Sequence, residues 1–192
     1  MASHAIIICG YPAVGKTTLG GALAQLLGLE HVEMSAMVRA SLESQGASEM
    51  ANAEYVQSVL WHHGEFGAVA ELLMRTRPNE QLVITGPRRP EEIEVLRACA
   101  PSTLIYLTAS FRTRLKRAAR RPTRGGVARS QVDVAFRLAK RDQQESAWGM
   151  DRIPQMHDCH VVVNEDSPGR AVSRILMILS GDAGQPGNDQ SG

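Results

Sequence analysis

Residues 5–28 read AIIICGYPAVGKTTLGGALAQLLG, and the order of their three parts decides the fold. Residues 5–9 are wholly apolar and predict a buried strand, while KTTLGGALAQLLG predicts a helix closed by Gly28 near its C-terminus. Between them, Gly10 to Thr17 spell GxxxxGKT. Gly10 and Gly15 permit a tight backbone path on which successive N–H groups point inward at phosphate oxygens. Lys16 is placed to reach the β- and γ-phosphates of a nucleotide, and the Thr17 hydroxyl to ligate Mg²⁺. The helix N-terminus adds partial positive charge. ATP and Mg²⁺ are therefore the expected cofactors, with Gly10, Ala13, Val14, Gly15, Lys16, Thr17 and Thr18 as the expected contacts.

Beyond residue 28 the pattern alternates. LEHVE is a weak second strand, and residues 35–76 read as mostly helical with breaks near SQGAS and HHGEFG. QLVIT predicts a third strand, followed by the turn GPRRP and a helix PEEIEVLRAC that carries Pro at its start and acids in its first turn. STLIYLT is a fourth strand, 111–121 and 130–147 are helices around the loop RPTRGG, CHVVV is a fifth strand and PGRAVSRILMIL a last helix. Alternation of this kind predicts an α/β protein with a five-stranded parallel sheet covered by helices on both faces, and the GxxxxGKT loop after the first strand makes the three-layer P-loop NTPase fold the expected one. The expected organisation is one P-loop kinase domain over 1–180. Residues 35–76 would bind the acceptor, 112–130 would form a lid, and the Gly-rich polar tail 181–192 would be disordered.

At 192 residues the chain suits one domain, and 43% hydrophobic with 21% charged residues is ordinary globular usage. No apolar run approaches the roughly 20 residues of a membrane span. MASHA lacks a basic n-region, which argues against a secretory signal. Cys9, Cys99 and Cys159 are odd in number and far apart, as expected of small core residues in a reducing cytoplasm. Net charge is only +1, yet residues 112–141 hold 11 of the 21 Lys and Arg with a single acid, Asp133. So one-sided a segment should attract polyanions, either nucleotide phosphates or nucleic acid.

Ligands of parallel sheets sit beyond the strands' carboxyl ends, so the segments after Cys9, Glu33, Thr85 and Thr108 should converge on one cleft. Arg39 follows the second strand by about one helical turn, Arg88 and Arg89 follow the third, and FRTRLKRAARRPTRGG supplies a lid cluster that includes Arg117 and Arg121. Converging arginine forks can neutralise a transferring phosphoryl group, so Lys16, Arg117 and Arg121 are the candidate catalytic cations. Arg39, Arg88 and Arg89 are the candidates for acceptor binding. Trp61, Tyr55 and Phe66 fit either a stacked base or the core. His62, His63 and the HDCH at 157–160 lack the second half of a zinc spacing.

These residues resemble the nucleoside monophosphate kinase group of P-loop proteins. HVEMSAMVRA is similar to the adenylate kinase stretch after its second strand, which implies that Arg39 grips the acceptor phosphate; ITGPRR is similar to the third-strand motif and implies the same for Arg88 or Arg89. A closer resemblance, over residues 5–170, is to the small archaeal-type family described as dephospho-CoA kinase-related or adenylate kinase-like. It rests on TGPRRPEEIEVLR, RDQQESAWG and VVVNEDS. The departures are consistent: Ser35-Ala36 stands where that family has Gly-Asp, Thr85 where it has the Asp of Asp-Gly, and RPTRGG where its lid has paired acids. Both usual aspartates, one for Mg²⁺ and one for the acceptor, are thus absent. Glu33, at the end of the second strand, is the acid placed to act as a base in their stead.

Three functions follow as expectations. The first is an ATP-dependent kinase acting on a nucleotide of the monophosphate type or another phosphorylated small molecule. The second is a P-loop kinase of a hydroxyl, such as dephospho-CoA, a nucleoside or a hydroxymethylated base in DNA, with Glu33 as base. The third is a non-catalytic NTP-binding regulator.

Overall fold

The computed structural model describes residues 4–37, 70, 73, 81–121 and 130–181. Five strands, β1 (Ala5–Cys9), β2 (Glu30–Glu33), β3 (Leu82–Thr85), β4 (Ser102–Thr108) and β5 (Cys159–Val163), form one sheet in the order β2-β3-β1-β4-β5. Every pairing is parallel. The described helices are α1 (Lys16–Leu27), α2 (Pro90–Cys99), α3 (Phe111–Ala119), α4 (Gln131–Ala147) and α5 (Pro168–Leu179), with a 3-10 helix at Met150–Gln155 that the sequence reading did not foresee.

Strands β1 and β3 and the middle of β4 are buried on both faces, and alternate residues feed two cores. Ile7, Ile84 and Leu104 face Ile93 and Leu96 of α2 together with Met150 and Ile153 of the 3-10 helix. Ile6, Ile8, Val83 and Ile105 face Leu19 and Leu23 of α1 and Val172 and Ile175 of α5. A helix layer on each face gives the three-layer arrangement expected from the alternation.

Strand β1 lies at the centre, with β3 and β2 to one side and β4 and β5 to the other. The connections diverge on either side of its carboxyl end, which makes that end the switch point where ligands of such sheets bind. The GxxxxGKT loop leaves β1 there. Residues 182–192, residues 122–129 and most of the segment 35–76, with Arg39, Tyr55, Trp61, His62, His63 and Phe66, lie outside the described residues. No helix among the described residues is long and apolar enough to cross a membrane.

Candidate functional site

The loop from Gly10 to Gly15 is held in a conformation few residues tolerate. Gly15 has φ +104°, and a Cβ there would come within 2.7 Å of Asn164 Nδ2. Ala13 is also left-handed, at φ 63°, which costs an L-residue about 1–2 kcal/mol. That strain persists because the loop is fastened from outside. Asn164, at the end of β5, donates from Nδ2 to the Val14 carbonyl at 2.7 Å. Arg117 donates to the same carbonyl at 3.2 Å and to the Asn164 carbonyl at 2.8 Å. Arg114 donates to the Pro12 carbonyl at 3.3 Å while pairing bidentately with Asp142 of α4, at 2.8 and 2.7 Å. Tyr11 donates its hydroxyl proton to Asp151 at 2.5 Å, beneath the Arg114 guanidinium that lies over its ring. Asp151 also accepts from Ser146, and these two donors hold its carboxyl below the usual range.

A cleft of about 300 Å³ opens over this loop, lined by Pro12, Ala13, Gly15, Lys16, Thr17, Glu33, Ser35, Thr85, Gly86, Arg88, Arg121 and Arg141. Segments following β1, β2 and β3 meet there as the fold class requires. The segment directly after β4 does not line it. Ser110 caps α3 instead, and Glu165 accepts from the Ser110 amide, the Ser110 hydroxyl and Thr113. Lys16 donates from Nζ to the carbonyls of Gly10 and of Tyr11, the latter at 3.0 Å. Burial pushes its pKa down to about 8, opposed by the nearby Glu145 carboxylate and reinforced by Arg88 and Arg141.

On the opposite wall, Thr17 donates to Glu33 at 3.4 Å and Ser35 to the other Glu33 oxygen at 2.5 Å. A hydroxyl beside a carboxylate is a hard-oxygen donor set of the kind Mg²⁺ takes. Thr85, where the resembled family carries an aspartate, shares a hydrogen bond of 2.9 Å with His31 of β2. Burial lowers the His31 pKa, which keeps the ring neutral. Among the described residues no three His, Cys, Asp or Glu side chains converge as a metal cluster.

The expected site residues are thus sorted by geometry. Ala13, Gly15, Lys16, Thr17, Glu33, Arg88 and Arg121 line the cleft, whereas Gly10, Val14 and Thr18 do not. Arg117 turns behind the loop. Arg89 lies over the Trp148 ring, 5.1 Å from its centroid, while Arg88 reaches into the cleft. The buried Glu92 explains that divergence: its carboxylate accepts from both the Arg88 and Arg89 amides, at 2.6 and 3.1 Å, and fixes the turn between them. The site residues that sequence reasoning missed are Arg141, which lines the cleft, and Glu145, which pairs with Arg141 at 3.3 Å and with Arg88 at 3.7 Å. Their signal lay in RDQQE, an i, i+4 Arg–Glu pair within a segment otherwise nearly free of acids.

A family model described as an AAA domain matches residues 6–146. The chain is 28% identical over 182 residues to a UPF0200 protein of Pyrobaculum aerophilum, covering 92% of this chain and 98% of that one. Among solved structures it is similar to a shikimate kinase from Bacteroides thetaiotaomicron, with TM-score 0.59, 16% identity, and 92% and 98% of the two chains covered. It is also similar to a gluconokinase from Sinorhizobium meliloti, with TM-score 0.55, 15% identity, and 94% and 97% covered. At such identities these structures speak for the fold. With the phosphate-loop motif at the switch point of a 2-3-1-4-5 parallel sheet and the family match spanning most of its length, the chain belongs to the AAA domain family, in its P-loop kinase-like form.

Proposed function

We propose that the protein is an ATP-dependent kinase that transfers the γ-phosphate to a nucleotide acceptor of the monophosphate type. The observation that supports this is the charge of the cleft. Lys16, Arg88, Arg121 and Arg141 line it from four separate segments, against Glu33 as the one acid among the described lining residues. Mg²⁺-bound ATP carries about two negative charges, and the guanidinium forks keep donors for a second phosphate group even with Glu145 taking one contact from each of Arg88 and Arg141. Lys16 and Arg121 would bear on the transferring phosphoryl group, Arg39 on the acceptor phosphate, and Arg88 on both groups where they meet. Thr17 and Glu33 would hold Mg²⁺, whose chemistry is to neutralise charge on the phosphates. Glu33 in that place answers the missing aspartates at Ala36 and Thr85.

The same carboxylate favours a second reading. Glu33 stands in the cleft and fits a base for a hydroxyl acceptor such as dephospho-CoA or a nucleoside. The experiment is a pooled screen with labelled ATP over nucleoside monophosphates, dephospho-CoA, nucleosides and DNA oligonucleotides. Label on a monophosphate supports the first reading, and label on a hydroxyl acceptor the second. ATP binding without transfer to any of them leaves a nucleotide-binding regulator. Glu33→Gln then separates roles: a turnover loss restored by excess Mg²⁺ marks a metal ligand, and one that Mg²⁺ does not restore marks a base.

A further inference from the structure

Helix α4 brings a buried carboxylate beneath the cleft that phosphoryl transfer itself leaves without a task. Glu145 is 2% exposed, and its Oε1 accepts from Arg141 Nη2 at 3.3 Å and forms an ion pair with Arg88 Nε at 3.7 Å. Its Oε2 is buried with no hydrogen-bond partner among the described residues. A half-satisfied buried carboxylate costs several kcal/mol in desolvation, which the two contacts to arginine offset only in part. The groups around it are cations: Arg88 from the β3–α2 turn, Arg141 from one turn earlier on α4, and Lys16 from the phosphate loop. Left alone, these three would repel one another, and two long side chains would take many rotamers.

We propose that Glu145 is a positioning residue, which holds the Arg88 and Arg141 guanidinium groups side by side so that their remaining N–H groups meet the anion beyond the β-phosphate. A guanidinium carries five donors in a fixed fork, so a single contact to Glu145 draws each fork into place and leaves most of its donors free for an anion. Glu145 touches neither nucleotide nor acceptor and acts through the two arginines. The cationic cleft, by contrast with a pair of freely moving arginines, is then preorganised, and no ordering of the forks is required when phosphate arrives. The proposal rests on the nucleotide-binding reading of the cleft and needs no knowledge of the acceptor.

The test compares affinities for ATP and ADP by calorimetry in the presence of Mg²⁺. The wild-type chain should prefer ATP, and Glu145→Gln should reduce that preference roughly tenfold, about the worth of one charge-assisted hydrogen bond, while ADP affinity changes less than about twofold. A double-mutant cycle completes it: in an Arg141→Gln background the Glu145→Gln effect should shrink below about twofold. An equal loss for ATP and ADP would mean a structural role, and an unchanged or stronger ATP preference would mean that Glu145 only neutralises charge; either outcome overturns the proposal. Should Glu145→Gln fail to fold, Glu145→Asp, which keeps the charge and withdraws it by one methylene, must show the same selective loss. A wild-type chain that binds neither nucleotide would instead overturn the reading of the cleft.

Discussion

At the scale of single residues, position in the cleft depends on where a side chain finds its partners. Arg117 and Arg121 lie four residues apart, yet Arg117 is drawn to the carbonyls of Val14 and Asn164, and Arg121 lines the cleft. Arg117→Ala should therefore lower stability by roughly 1–3 kcal/mol and weaken nucleotide binding through the loosened loop. Arg121→Ala should leave the unfolding temperature unchanged and act on turnover. Thermal unfolding of both variants checks this, and an Arg117→Ala chain with wild-type Tm would place that arginine on phosphate instead. Lys16 offers a pH dependence. With its pKa down at about 8, it is charged below that value and loses its proton above it. A bound triphosphate favours the charged form and raises the pKa of the complex, so affinity should be flat from pH 7 to 8. It should then fall by about tenfold per pH unit toward the pKa of the complex. Binding measured at pH 7 and 9.5 tests this, and Lys16→Met should remove both the slope and most of the affinity.

At the scale of elements, α1 and α3 carry the burden of holding the loop. Helix α1 approaches the sheet closely at Gly20, where a Cβ would stand 2.5 Å from Thr85 Cγ2 and 2.7 Å from His31 Nε2. Both neighbours are short or ring-bound and hydrogen-bonded to each other, so neither can swing away. Gly20→Ala should cost about 1–3 kcal/mol in spite of alanine's better helix propensity, read as a lowered midpoint in urea unfolding. Helix α3 is joined to α4 by the Arg114–Asp142 pair, in which the arginine is nearly buried, and joined to the loop through Pro12. Arg114→Ala would leave Asp142 partly buried and unpaired and release the loop, at roughly 3–5 kcal/mol. A loss under about 1 kcal/mol would show that the α3–α4 joint is not what supports the loop.

At the scale of the whole molecule, the two cores fix the sheet, and the loop at its switch point is where ligand binding feeds back on stability. Mg²⁺-ATP at about one hundred times its dissociation constant should add roughly 2.7 kcal/mol to unfolding. The gain should vanish in Lys16→Ala, with thermal shift as the measurement. How much of this was legible beforehand follows from the range of the interactions involved. The strand AIIIC, the loop GYPAVGKT and the helix behind them are local, and backbone sterics and apolar periodicity dictate them within 24 residues. Alternation of strand and helix carried the parallel, doubly covered sheet, because a parallel neighbour requires a crossover. Which arginines enter the cleft was not legible. Arg88 and Arg89 are adjacent in sequence, yet Trp148 takes one and the cleft the other, and Arg117 is captured by Val14, 103 residues away. Nor did the sequence reading reach Glu145, whose meaning lies in Arg88 and Lys16 arriving beside it from elements far along the chain. The sequence by itself determined the phosphate loop and the layered sheet, since these depend on near neighbours and periodicity. Only the tertiary structure decided the electrostatic company of that loop, because the direction of a long charged side chain is set by partners that folding alone brings within reach.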